Sequence, residues 1–149
     1  MHRKAVKDVV RVAAIGVAYY FVHTTTVGIA AAIPFPDQFA AIAQEYTVLS
    51  FLVFTLMTKG LAAAISALLA GFAIARFLSS NQVWWGVAII VGLSLYSALT
   101  FDTLFGRIAS LRALVWPGSV FDVPMIVAWW TFLPISIWLF VRRFDAKTD

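Results

Sequence analysis

The chain has 149 residues, of which 62% are hydrophobic and 12% charged, with a mean hydropathy of +0.93. That is more apolar surface than a soluble domain of this length can bury, and it points to an integral membrane protein. The absence of cysteine removes disulfides, thiolate nucleophiles and cysteine-bound metals. The net charge of +4 does not indicate nucleic acid, because the bases cluster at the ends of apolar runs and no basic face is interleaved with exposed aromatics.

In chain order, Met1 to Arg11 reads as a basic head and Val12 to Ile33 as a first apolar span. Together with Ala30-Ala31-Ala32 they imitate a secretory signal peptide, but the apolar run is longer than the usual signal core, so the segment reads as a retained anchor. Tyr19, His23, Thr26 and Ala30 recur at i, i+4, i+7 and i+11 and share one helical face. A hydroxyl or carbonyl of a neighbouring helix is the more ordinary partner for His23 than a metal. Haem ligation by paired histidines is disfavoured, since the other histidine, His2, lies at the far end of the head. Pro34 and Pro36 stop the span. From Asp37 to Tyr46, Phe39, Ile42, Ala43 and Tyr46 fall on one face, which fits a short helix lying in the outer interface.

Tyr46 to Leu78 is a long apolar run broken near its middle by Lys59. A span needs only about 20 residues, so the run is either one long tilted helix or a hairpin turning at Lys59-Gly60. Charge chooses the single helix: it gathers Arg3, Lys4, Lys7, Arg11, Arg76, Arg142, Arg143 and Lys147 on one side and leaves Arg107 and Arg112 on the other. Thr55, Lys59, Ala62 and Ser66 form a polar line on this helix, while Gly60, Ala64, Ala67, Gly71 and Ala75 form a smooth stripe of small residues roughly 100° away. In lipid such a stripe favours close helix packing, within the chain or between subunits.

Ser79-Ser80-Asn81-Gln82 is a polar turn, and Trp84-Trp85 begin a third span that ends at Asp102. Thr103 to Val120 is too polar to span. Its Leu104, Phe105, Ile108, Leu111 and Val115 share a face flanked by Arg107 and Arg112, as expected of a second interfacial helix whose arginines reach lipid phosphates or a partner. Asp122 and Pro124 open the fourth span, in which Pro134 predicts a kink. This last span, with Pro124-Met125, Trp129, Pro134 and Arg142-Arg143, resembles the final helix of the small four-helix membrane subunits of tripartite transporters. The likeness covers one span of four.

The expected architecture is thus an all-α integral membrane protein. It has four transmembrane helices, two short outer interfacial helices and cytoplasmic termini in a single helical domain, in the plasma membrane, taken as a bacterial inner membrane. Intramembrane polar groups are the default candidates for function: Lys59, His23, Tyr19, Thr26 and Thr55. Asp102 and Asp122 are the nearest acids that Lys59 can reach, although helix capping explains both more simply than a hydrolase carboxylate pair. Ser94 and Ser97 lack an activating base nearby in sequence. No catalytic arrangement, phosphate loop, cofactor site or metal spacing is present. The leading expectation is a non-catalytic subunit of a larger membrane complex such as a transporter, its partners being the bilayer and other membrane subunits or copies of itself. The alternatives are a small oligomeric proton-coupled transporter or channel using Lys59 and His23, and a membrane immunity protein.

Overall fold

The computed structural model describes residues 2–34, 36–37, 44–78 and 80–145. Helix α1 runs His2–Ala31 and is followed by α2 (Thr47–Thr55), a π-helical turn (Leu56–Gly60), α3 (Leu61–Phe77), α4 (Gln82–Leu99), α5 (Leu104–Ala113), a 3-10 turn (Val120–Asp122) and α6 (Val123–Asp145). Among the described residues there is no strand. Four stretches are long and apolar enough to cross a membrane: Val6–Ala31, Thr47–Phe77, Gln82–Leu99 and Val123–Phe144.

The hairpin alternative at Lys59-Gly60 is absent. The helix passes through that dipeptide as a π turn, in which the Leu61 N–H reaches back five residues to the Leu56 carbonyl as well as to that of Thr58. An i-to-i+5 bond accommodates an extra residue without breaking the rod. The basic head forms the first turns of α1, where the Arg11 guanidinium donates to the Phe77 carbonyl at 2.9 Å and pairs with Asp8 at 3.7 Å. One arginine thereby caps an orphan carbonyl at the end of α3. The proposed interfacial helix before Tyr46 falls largely on residues 38–43 and lies outside the described residues. At the α3–α4 turn Asn81 adopts a left-handed φ of 53°, a conformation its short polar side chain tolerates better than most.

The long helices pack in a ring in which α1 lies on α3, α3 on α6, α6 on α4, and α4 on α1, with α3–α6 the most extensive contact. The α3–α6 contact is close because small residues permit it. A methyl group added at Gly71 would collide with Ser136 Oγ and lie 3.0 Å from the Ile137 amide nitrogen; at the α4–α6 contact, one added at Gly86 would collide with Ile137 Cδ1. The Ser136 hydroxyl reaches across this gap to the Ala67 carbonyl at 2.8 Å and also lies 2.9 Å from that of Leu133. On α3 the buried positions include Ala62, Ala63 and Ser66 as well as Ala67, Ala70 and Gly71, so the packing face and the polar line merge into one broad buried face. Ala64 and Ala75 are only half-buried, at its edge. Helix α6 continues through Pro134 without interruption.

The buried core is apolar with a few serines and Asp8 among it, and the outer surface is apolar as well. Buried polar side chains include Asp8, Ser50, Ser66, Ser94 and Ser136, whereas Val17, Phe21, Leu49, Leu61, Leu69, Trp84, Leu95 and Ile135 are exposed. No buried side-chain nitrogen or oxygen among the described residues lacks a hydrogen bond, as an interior without bulk water requires. Toward the end that carries both termini, Val12, Ile74, Leu78, Ile89 and Ile137 fill the centre of the ring. Toward the other end the helices part.

A candidate binding cavity

The parting of the helices leaves a half-open cavity of about 740 Å³ between α1, α4, α5 and α6, at the end opposite the termini. Its size falls within the range of small-ligand sites. One wall is polar and comes from α1 and α4: Tyr20, His23, Thr24, Ser94 and Ser97. The facing wall is apolar and comes from α5, the turn after it and α6, including Ala109, Leu114, Trp116, Met125 and Ile126. Arg112 and Asp122, both exposed, also line it.

The roof is held by two anchors. Thr103 caps α5, its Oγ1 accepting the Gly106 amide at 3.1 Å, and Arg107 Nε donates to the Phe101 carbonyl at 2.9 Å, so α5 folds back over the end of α4. Trp130 Nε1 donates to the Leu114 carbonyl at 2.6 Å and ties the chain beyond α5 to α6. Asp122 completes a capping box with Ser119, its Oδ2 accepting the Ser119 amide at 2.8 Å and the hydroxyl at 3.2 Å. Of the charged groups in the lining, Asp122 is therefore tied into the turn. Arg112 has no side-chain partner among the described residues.

His23 and Trp129 form the floor, with Tyr19 packed against both. The His23 ring centroid lies 5.1 Å from that of Trp129 and 5.5 Å from that of Tyr19, and Tyr19 stacks on Trp129 at 6.2 Å. Ser66 Oγ lies 2.9 Å from the Ala63 carbonyl and 3.1 Å from His23 Nδ1. His23 Nε2 has no partner among the described residues and serves as donor or acceptor according to the tautomer. Beside it, Ser94 accepts Trp129 Nε1 at 3.1 Å and donates to the Ile90 carbonyl at 2.8 Å. Thr24 is likewise engaged with the Tyr20 carbonyl at 2.7 Å.

The structure thus brings together Tyr19, His23 and, one turn on, Thr26, whose hydroxyl lies 2.8 Å from the Val22 carbonyl and 3.4 Å from that of Ala62 on α3. It does not bring Lys59 to them. Lys59 is half-buried in the π turn, which packs against α1 and α6, and it does not line the cavity. Neither Asp102, exposed after α4, nor Asp122 lies within ion-pair distance of it; the one ion pair among the described residues joins Arg11 and Asp8. The line Thr55, Lys59, Ala62, Ser66 assumed a regular α-helix, and the π turn breaks that phase. Thr55 is half-buried at its start.

Three members of the site were not given these roles by sequence reasoning. Ser66 was placed only in the polar line and Ser94 was set aside for want of an activating base nearby, because their partners His23 and Trp129 are 43 and 35 residues away. Trp129 did carry a signal: a tryptophan two turns inside a span is away from the interface where indoles normally sit. Among the described residues no group of three or more His, Cys, Asp or Glu side chains gathers as metal ligands would. Compared with known proteins, the chain matches no family model, no curated protein and no solved structure.

Proposed function

We propose that the chain is a multi-pass membrane protein with cytoplasmic termini that serves as a non-catalytic, ligand-holding subunit of a larger membrane assembly. Its orientation rests on the basic residues of the α1 start and of the α3 and α6 ends, which occupy one end of the ring, against Arg107 and Arg112 at the other. The observation that carries the functional reading is that the cavity is a dead end. It is open on one side and floored by His23 and Trp129, with the fully buried Ile74, Leu133 and Ile137 filling the ring toward the other end. A single chain therefore has a place to hold a ligand but no path through, and any translocation requires other subunits. The reading that pairs Lys59 with His23 in a transport route is the less favoured, since Lys59 is not in the lining of this cavity.

The purified full chain, reconstituted into vesicles bearing a pH gradient, is expected to leak protons no faster than protein-free vesicles. In native membranes the tagged chain should run in an assembly larger than itself. A chain of monomer size that collapsed the gradient on its own would overturn the subunit reading.

A further inference from the structure

We infer that the cavity selects an anionic amphiphile: a molecule with a carboxylate or phosphate at one end and an apolar body that carries a hydroxyl. The inference rests on reading the cavity as a ligand site and names what it takes. Each part of that ligand answers to a feature of the lining. The anion answers to Arg112, the lining's one cationic side chain without a partner among the described residues, since Asp122 is held by Ser119. A guanidinium beside a half-open apolar cavity is suited to a carboxylate or phosphate head in a way that a lone ammonium is not. The apolar body answers to the wall of Leu114, Trp116, Met125 and Ile126. The hydroxyl answers to His23, which lines the cavity and whose Nε2 has no partner among the described residues, so that it meets a hydroxyl as donor or as acceptor. A plain hydrocarbon tail would leave that nitrogen facing methylene groups, at a cost that a hydroxyl removes.

The roof says where such a ligand comes from. Helix α5 has no acidic residue, ends in Arg112 and exposes Leu104, Phe105, Ile108 and Leu111. It has the character of a helix that lies at the lipid headgroup level, and the cavity beneath it opens to molecules already resident in the leaflet.

The test is native mass spectrometry of the full chain released from detergent micelles. Stearate, a series of hydroxystearates with the hydroxyl moved along the chain, their methyl esters and inorganic phosphate are offered separately. One hydroxyl position is expected to stand out over stearate by about fivefold, the worth of one net hydrogen bond, and over its own methyl ester by roughly tenfold, the worth of a charged one. Arg112→Gln should abolish the advantage over the ester, while Arg107→Gln, at a side chain tied to Phe101, should not. His23→Leu should abolish the advantage of the hydroxyl and leave the preference for the acid. Should His23→Leu fail to fold, His23→Gln, which keeps a donor and an acceptor, is expected to retain the hydroxyl preference. Equal adducts across the series, an Arg112→Gln protein that still prefers the acid, or phosphate retained as well as the amphiphiles would each overturn the inference. Accessibility of the cavity to a thiol reagent at position 23 is a separate measurement, so loss of selectivity with the cavity intact refutes the ligand and not the site.

Discussion

At Gly71 a hydrogen is all that fits between α3 and α6. An added methyl would strike Ser136 Oγ, lie 2.9 Å from Ser136 Cβ and approach the Ile137 backbone nitrogen. Because one of those neighbours is backbone, the strain cannot be relieved by a rotamer change alone. Gly71→Ala is therefore expected to cost about 1–3 kcal/mol, the usual range for overpacking a tight contact. Gly92→Ala, where nothing lies within 4 Å, should change stability by less than about 0.5 kcal/mol. Thermal unfolding in detergent compares the two, and equal effects would remove the close approach as the reason for the glycine. The residue-level reading of the sequence reached this far: of the recurring Gly60, Ala64, Ala67, Gly71 and Ala75, Ala67 and Gly71 meet Ser136 on another helix of the same chain, while Ala64 and Ala75 stay half-buried at the edge. What it could not reach was the identity of the facing helix. Ser136 Oγ on the Ala67 carbonyl spans 69 positions, and nothing local in either segment encodes the other.

Among the elements, the π turn at Leu56–Gly60 was the least legible. Leu-Met-Thr-Lys-Gly is acceptable in a regular α-helix, so neither propensity nor period marks the extra residue; tertiary packing against α1 and α6 decides it. Its presence makes a prediction. A π turn absorbs a residue that an α turn would not, so deleting the exposed Met57 should leave a continuous helix with α3 still in register against α6. Deleting Leu68 inside α3 instead rotates everything after it by about 100° and takes Gly71 and Ile74 off their partners. The first variant is expected to unfold within a few degrees of the parent, and the second to fail to give a folded protein. If both deletions were equally damaging, the turn would be more than an accommodated insertion. The four long helices were legible by contrast, because length and apolarity are summed over whole segments and survive errors at any one position. The roof of the cavity was not, since Trp116-Pro117-Gly118 announces a turn and gives no direction for it. That direction comes from Trp130 reaching the Leu114 carbonyl.

For the whole molecule, a ring of four helices closed by apolar packing at one end and parted at the other gives an internal polarity that composition alone does not contain. The half near the termini is core; the half beneath α5 is a cavity with one polar wall and one apolar wall, a cation in its lining and an imidazole nitrogen without a partner among the described residues on its floor. Both the assembly role and the ligand class depend on that cavity being open to the side away from the cytoplasm. The absence of native cysteine makes the measurement direct. Single-cysteine variants His23→Cys and Ile74→Cys are exposed in intact cells and in inverted vesicles to a membrane-impermeant thiol reagent. His23→Cys is expected to be labelled in intact cells and protected in inverted vesicles, and Ile74→Cys, fully buried in the closed half, to resist labelling in both. Labelling of His23→Cys from the cytoplasmic side, or its resistance from both sides in a protein of unchanged stability, would contradict the cavity as the centre of this protein's function.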